Sequence, residues 1–155
     1  QFEVRAAGSF KQNPGCSNES IDSLSPERLE YLCSGECYNP SNERQIIERI
    51  EVIKITPQSY VGEAISPLIE DAWKIIPCTG SGECVVRFED DNYSRDTVYY
   101  VRAIQEETPA INGSQLSERK SFKICKGSFR TNLEDDCLSM TNERAWSSPI
   151  YVNKP

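Results

Sequence analysis

The sequence predicts a mainly β domain, a disulfide-stabilised, β-sandwich-like module with one short helix. Several short runs of β-branched and aromatic residues lie between turn signals, as in layered all-β domains. A single segment, near residue 26, has the start signals of a helix. Seven cysteines in a chain without histidine suggest that disulfide bonds supplement a modest core.

Residues 97–107 are predicted to form the central strand. They are the densest β-branched and aromatic run, and residues 98–104 are apolar on both faces except at Arg102, with polar and charged residues at the end of the strand. A strand that is apolar on both faces is usually covered on both sides. Turn signals at residues 90–92 and 108–109 bound its length.

The segments before this strand predict three further elements. Residues 2–6 alternate as a short first strand. Ser25 followed by a proline predicts an N-cap and a first helical turn, and the helix should end near Gly35. Residues 45–56 are rich in isoleucine and predict a second long strand, which the following proline ends.

The remaining segments complete the predicted organisation. Residues 58–72 are interpreted as a loop that contains a helical turn, and residues 73–76 and 85–88 as the two arms of a hairpin. Residues 108–145 are polar without clear periodicity, and residues 145–152 predict a terminal strand. The proline within that last segment places it at an edge or at a bend.

The glycine-rich spacer between Cys78 and Cys84 predicts a disulfide that closes the hairpin. Closing so short a loop is expected to contribute about 2 kcal/mol on the chain-entropy model. Because disulfides persist in oxidising compartments, we expect a periplasmic or extracellular location.

The other cysteines leave alternatives open. Cys125 and Cys137 bracket a short polar loop and form the next expected pair. Two of Cys16, Cys33 and Cys37 are expected to pair, and the odd one is either free or has its partner outside the chain. A structural zinc site at Cys33 and Cys37 is the rival interpretation. It lacks a second matching cysteine pair and any histidine, so no metal site is predicted.

Composition excludes several classes of function. The net charge of −7 and the pI of about 4.7 argue against a nucleic-acid partner, which requires a basic surface. The sequence contains no run of about 20 apolar residues, so no membrane span is predicted. The lack of histidine removes Ser/His and Cys/His nucleophile pairs, and no phosphate-binding loop of the G-x-x-x-x-G-K type is present. No catalytic residue is predicted.

Two acidic clusters and two tryptophans remain as candidates for binding. The acids at residues 89–91 and 134–136 are interpreted as solvated turns. The alternative is a calcium site, but these acids do not have the spacing of an EF-hand loop. Trp73 and Trp146 are possible ligand-stacking residues, although tryptophans at strand ends more often belong to the core. Trp146, Ile150 and Val152 are separated by even numbers of residues, so one face of the terminal strand would present all three to the core unless Pro149 breaks the register between them.

Two segments carry a family resemblance. Residues 88–109, FEDDNYSRDTVYYVRAIQEETP, resemble the "F-x-D-x-x-F … FYYVRVLExPTP" segment of a bacterial family known as domain of unknown function 3604. Residues 143–152, ERAWSSPIYV, resemble that family's "RAW[ST]SPIW" ending. Residues 35–41 and 49–58 are similar to stretches of a cysteine-rich branch of the same family.

This family is similar to the PHP (polymerase and histidinol phosphatase) superfamily of metal-dependent phosphoesterases. Its presumed metal ligands are histidines and acids in an upstream catalytic part, and none can be carried over to a chain without histidine. The resemblance implies that residues 1–155 are a single, non-catalytic C-terminal domain of a larger exported hydrolase. It further implies an upstream catalytic domain as partner, a divalent metal in that parent protein and no cofactor in this chain. The alternative is an autonomous extracellular module that binds carbohydrate or protein.

Overall fold

The fold is mainly β, as the sequence predicts. The computed structural model describes residues 1–33, 38–111 and 138–154. Its strands are β1 (Phe2–Ala7), β2 (Phe10–Pro14), β3 (Tyr38–Arg44), β4 (Ile47–Ile55), β5 (Ile69–Pro77), β6 (Glu83–Phe88), β7 (Thr97–Ile111), β8 (Leu138–Trp146) and β9 (Ile150–Val152). The helices within the described ranges are α1 (Asn18–Ser23) and α2 (Pro26–Cys33), with a 3-10 turn at Ser66–Leu68.

The described strands form three sheets, and the chain divides into two compact units. The largest sheet has the strand order β5-β4-β7-β8, and β9 also pairs with β7. The pair β1–β6 and the pair β2–β3 are separate two-stranded ribbons. The first unit comprises Gln1–Gly8, Ile46–Glu106 and Asn142–Pro155, and the second comprises Ser9–Gln45 and Glu107–Thr141.

The central strand predicted at residues 97–107 is confirmed. β7 covers these residues and pairs antiparallel with β4 on one side, while β8 and β9 are its other neighbours. The long strand predicted at residues 45–56 is β4, and the first strand predicted at residues 2–6 is β1. Apolar density on both faces therefore identified the middle of the largest sheet.

The core of the first unit lies between the β1–β6 ribbon and one face of the five-stranded sheet. Cys84 of β6 packs in one buried cluster with Ile50 of β4. Phe88 of β6 packs in a second cluster with Val52 of β4 and Tyr99 of β7. Because two sheets bury their facing sides against each other, this unit has the layered arrangement expected of a β-sandwich-like module.

A disulfide links the two layers of this core. Cys78, directly after β5, is bonded to Cys84 in β6, and their Cα atoms lie 5.7 Å apart. β5 pairs with β4, whereas β6 pairs with β1, so the hairpin predicted from residues 73–76 and 85–88 is wrong. Alternating apolar residues look the same in a hairpin and in a crossover between sheets, and only the pairing partner distinguishes the two.

The other cysteine pairs fall mostly outside the described residues. Cys16 is disulfide-bonded. Cys37, Cys125 and Cys137 are not described, and neither is the side chain of Cys33 at the end of α2. The proposed pair Cys125–Cys137 and the partner choice among Cys16, Cys33 and Cys37 therefore stay predictions.

The second unit contains one helix that the sequence predicted and one that it did not. The predicted helix is α2, where the Ser25 hydroxyl accepts a hydrogen bond from the backbone N–H of Arg28 (3.3 Å). The additional helix is α1, capped by Ser17, whose hydroxyl accepts from the backbone N–H of Ser20 (3.4 Å). Both helices follow the same serine capping rule, so the capping serine is the signal that predicts α1.

The terminal strand predicted at residues 145–152 is divided in two. β8 ends at Trp146 and β9 begins at Ile150, directly after Pro149. Proline lacks the N–H that a strand ladder requires, and it therefore accounts for the interruption.

We expect that replacing both Cys78 and Cys84 by alanine lowers the free energy of unfolding by about 2 kcal/mol, because the unfolded chain regains the freedom of the closed loop. Urea unfolding of the variant and of the unmodified chain under oxidising conditions measures this change. Equal free energies of unfolding would show that the link between the layers adds nothing to stability.

Candidate functional site

Trp146 is exposed, and the prediction that it belongs to the core is wrong. Its side chain is 60% exposed, and Ile150 on the following strand is also exposed. Only Val152 of the predicted trio packs against the second core cluster. The shared parity of these residues does not place them on one face, because the chain leaves the sheet between β8 and β9.

The face of the five-stranded sheet opposite the core, here called the outer face, carries an apolar row across four strands. Ile69, Ile55, Val98 and Tyr151 are consecutive cross-strand partners on β5, β4, β7 and β9. Side chains directly opposite each other lie on the same face of a sheet. The two ends of the row are exposed, with Tyr151 at 73%, whereas the two central residues are partly buried.

Trp146 belongs to the same outer face. The backbone N–H of Ser147 donates to the Val101 carbonyl (3.0 Å), and the N–H of Val101 donates to the Ser147 hydroxyl (3.1 Å). Because Val101 faces the core, alternation places the preceding residue, Trp146, on the side that carries Arg102. Ile75, which pairs with Glu51 on this side, is exposed as well.

Charges on the outer face are paired with one another. Glu51 accepts from Arg49 Nε (2.8 Å) through one carboxylate oxygen and from Arg102 Nε (2.9 Å) through the other. Arg102 Nη2 also lies 2.9 Å from Asp71 Oδ1. Burial by itself raises the pKa of the Glu51 carboxyl, but the hydrogen bonds and charges of the two arginines outweigh it and lower that pKa. Glu51 is therefore ionised, and the two arginines compensate its negative charge.

Trp73, the other candidate stacking residue, is engaged by its own chain. Its ring centroid lies 6.3 Å from that of Phe88 and 5.9 Å from that of Tyr99. The ammonium groups of Lys54 and Lys74 lie 5.0 Å and 4.6 Å from the ring centroid. A ligand would have to displace these neighbours to stack on the indole, so the geometry favours the core interpretation of Trp73.

A backbone irregularity places Trp73 in the core. The register between β4 and β5 shifts between Val52 and Lys54, as in a bulge. Ala72, opposite this shift, has a φ of 53°, in the left-handed region that non-glycine residues rarely adopt. Lys74 pairs with Val52, which faces the core, so strict alternation would place the preceding Trp73 on the outer face. The bulge lets the indole join the second core cluster instead.

Asp90, from the acidic cluster before the central strand, is a structural carboxylate. Its Oδ2 lies 2.6 Å from Lys54 Nζ and accepts a hydrogen bond from the Tyr99 hydroxyl (2.7 Å), while its Oδ1 accepts from the backbone N–H of Asn92 (3.0 Å). Burial raises the pKa of Asp90, but these hydrogen bonds and the Lys54 charge outweigh it and lower the pKa. Burial and the Asp90 contact raise the pKa of Tyr99, so its hydroxyl remains a donor.

The described residues contain no group of three or more His, Cys, Asp or Glu side chains that could hold a metal ion. The acids at residues 134–136 lie outside them. Among the helices of the described ranges, none is long and apolar enough to cross a membrane. The candidate site is the group of exposed apolar residues on the outer face. Tyr151, Ile69 and Ile75 could not be identified from the sequence, because strand register, which places them on the same face as Trp146, cannot be read from composition.

We expect opposite outcomes for the two tryptophans. Trp73→Ala removes a ring packed on two aromatic side chains and should lower the free energy of unfolding by about 3 kcal/mol, whereas Trp146→Ala should shift the melting temperature by less than about 2 °C. Thermal unfolding of both variants under oxidising conditions measures the contrast. A large destabilisation by Trp146→Ala would restore its core assignment.

Asp90→Asn should destabilise the domain in a pH-dependent manner. The folded-state pKa of Asp90 is lowered, so its stabilisation is fully present above the unfolded pKa of about 3.9 and is lost as the pH falls through the folded pKa. We expect a loss of about 3 kcal/mol at pH 7, because Lys54 is left partly buried and uncompensated, and a shrinking difference below about pH 4.

Urea unfolding between pH 2.5 and 8 measures this dependence. Asp71→Asn is the matched control, because Asp71 also pairs with a cation but its side chain is 66% exposed, and its loss should stay below about 1 kcal/mol. A difference between Asp90→Asn and the unmodified chain that is constant across the pH range would contradict the role of the Asp90 carboxylate.

Comparisons with known proteins identify no relative of this chain. No family model matches it, and neither a curated protein nor a solved structure does. The family resemblance of residues 88–109 and 143–152 therefore stays a prediction.

Proposed function

We propose that this chain is a non-catalytic accessory domain that forms the C-terminal end of an exported, PHP-like, metal-dependent hydrolase. In this proposal the metal and its histidine ligands belong to an upstream catalytic domain of the same protein. The present domain packs against that catalytic domain and helps to shape its substrate cleft. The proposal concerns binding, and it assigns no chemistry to residues 1–155.

The exposed apolar residues of the outer face are the observation that carries this proposal. Ile69, Ile75, Trp146 and Tyr151 are large apolar side chains, each about half exposed or more, on one side of one sheet. Exposed apolar residues grouped on a single face mark interaction surfaces more often than isolated ones do. Aromatic anchors such as tryptophan and tyrosine also supply much of the affinity of protein interfaces.

The chemistry of this face favours a protein partner over a polar ligand. Two of the four exposed residues are isoleucines, which offer apolar area without hydrogen-bonding groups. The carboxylate of Glu51 is already occupied by Arg49 and Arg102. A partner with its own apolar surface therefore finds area to bury and few charges to desolvate.

Two further observations support the proposal. The segments that resemble the family lie on neighbouring strands, since residues 88–109 contain most of β7 and residues 143–152 contain the end of β8 and all of β9. The disulfide between Cys78 and Cys84 is consistent with export, because such bonds persist outside reducing compartments.

A second candidate function is an autonomous module that binds carbohydrate. The observation in its favour is the exposure of Trp146 and Tyr151 on the same face, because aromatic rings can stack on the apolar side of a sugar. The isoleucines on the same face provide no hydrogen bonds to sugar hydroxyls, so we place this candidate second.

The complete reading frame that contains this chain tests the proposal. We expect an upstream segment with histidine and acidic metal ligands that, produced separately, binds residues 1–155. The double variant Trp146→Ser/Tyr151→Ser should weaken this binding by about a hundredfold or more, as for loss of two interface anchors, while Val85→Ser on β6 should not. Calorimetric titration measures the affinities. The isolated chain should not hydrolyse bis(p-nitrophenyl) phosphate with Mg²⁺, Mn²⁺ or Zn²⁺.

A reading frame without such a segment, or an upstream segment that does not bind, would overturn the accessory-domain proposal. Retardation of the chain in polysaccharide gels that is lost in Trp146→Ser would support the second candidate instead.

A further inference from the structure

Arg144 is an exposed cation on the outer face, close to Trp146. It lies in β8 two residues before Trp146, so strand alternation places it on the same side, about 7 Å away along the strand. Asn142, two residues earlier again, follows the same alternation. Its amide donates to Glu48 Oε2 (3.4 Å), and this oxygen also lies 3.3 Å from Nη1 of Arg49 on the outer face.

Arg144 differs from the other arginines in the part of the chain that the structure describes. Each of the others contacts a carboxylate or an aromatic ring. The carboxylate contacts are those of Arg5 and Arg87 with Glu3, Arg49 with Glu51, Arg95 with Glu63, and Arg102 with Asp71. The ring contacts are those of Arg28 over Tyr31 and Arg44 over Phe10. Within the described residues Arg144 has no such contact, although the chain has 24 acidic residues against 17 basic ones.

The acids identified on the outer face are engaged by other groups. Glu51 and Asp71 take part in the arginine pairs described above, and Glu48 binds an arginine and an amide. Glu143 adjoins Arg144 in sequence, but alternation directs it to the opposite side of β8. The positive charge of Arg144 is therefore left for a group from outside the described chain.

A surface that covers the outer face would remove water from the Arg144 guanidinium. A charge that loses its water without gaining a partner opposes binding strongly, so the covering surface has to supply an acceptor. Arginine suits such a position, because its planar guanidinium is weakly hydrated and binds both oxygens of one carboxylate. Tryptophan, tyrosine and arginine are also the residues that most often carry the affinity of protein interfaces, and Trp146 and Tyr151 lie on this same face.

We infer that Arg144 binds an aspartate or glutamate side chain of the upstream catalytic domain, an assignment that rests on the proposed function. Apolar residues of that domain surround the carboxylate and pack on Trp146 and Tyr151. The ion pair fixes the orientation of the two domains, because it allows one position of the carboxylate on an otherwise charge-compensated face. A second copy of this chain is a less suitable partner, since each copy carries a net charge of −7.

The test uses the separately produced upstream segment and residues 1–155, with affinity measured by calorimetric titration. Arg144→Gln should weaken binding by about tenfold. Arg5→Gln is the matched control, because it removes the same charge from an exposed position on the β1–β6 ribbon, and it should leave the affinity unchanged. Arg144 has no contact in the described chain to lose, so Arg144→Gln should also keep the melting temperature of the unmodified chain.

Ionic strength and charge reversal supply the second readout. The affinity of the unmodified chain should fall between about 50 and about 500 mM salt, and Arg144→Gln should reduce this dependence, because salt screens the ion pair. Arg144→Glu should bind more weakly than Arg144→Gln, since two carboxylates would then face each other. Changing the partner carboxylate of the upstream segment to lysine should restore binding to Arg144→Glu and so identify that residue.

The outcomes separate the inference from the proposed function. If the unmodified chain binds, Trp146→Ser/Tyr151→Ser weakens the binding and Arg144→Gln does not, the inference is overturned while the proposed function stands. If the unmodified chain does not bind the upstream segment, or if no such segment exists, both fail.

Two other results would overturn the inference by assigning Arg144 to a different partner. Retardation of the chain in polygalacturonate gels that is lost in Arg144→Gln would assign it to an acidic sugar. Self-association of the chain in sedimentation equilibrium that is lost in the same variant would assign it to a second copy.

Discussion

Burial of the Tyr99 side chain is the constraint on which the first unit depends. Its ring lies among Phe2 and Trp73 in the second core cluster, and its hydroxyl donates to Asp90. A buried tyrosine requires a partner for its hydroxyl, and a buried carboxylate in turn requires a cation, which Lys54 provides. These contacts join β4, β7 and the loop before β7. Asp90, one of three acids that are interpreted from the sequence as a solvated turn, thereby becomes part of the support of the core, whereas Glu89 and Asp91 are exposed.

The two faces of the five-stranded sheet satisfy different requirements. The inner face buries apolar residues against the β1–β6 ribbon, and a disulfide ties the two layers together. The outer face neutralises its charges with pairs centred on Glu51 and leaves apolar side chains exposed towards both edges of the sheet. The inner face is thus buried, whereas the outer face leaves apolar area exposed, and the proposed binding role rests on this asymmetry.

The candidate site could be predicted only in part, and the two tryptophans show why. Both lie in or at the end of β-rich segments, so the sequence predicts the same position in the core for both. A bulge between Val52 and Lys54 directs Trp73 into the core, whereas the break at Pro149 separates Trp146 from β9. Each irregularity changes the face that a side chain occupies, and neither position follows from the strict alternation of an ideal strand.

The sequence by itself determined the fold class, the position of the central strand and the helix at residue 26, because each depends on local patterns of burial, propensity and capping. Only the tertiary structure decided which strands pair. The segment after Cys78 pairs with the N-terminal strand and not with its sequence neighbour, so a predicted hairpin became a crossover between two sheets. Pairing depends on contacts between residues far apart in the chain, and these contacts also decide which aromatic residues are buried and which remain exposed.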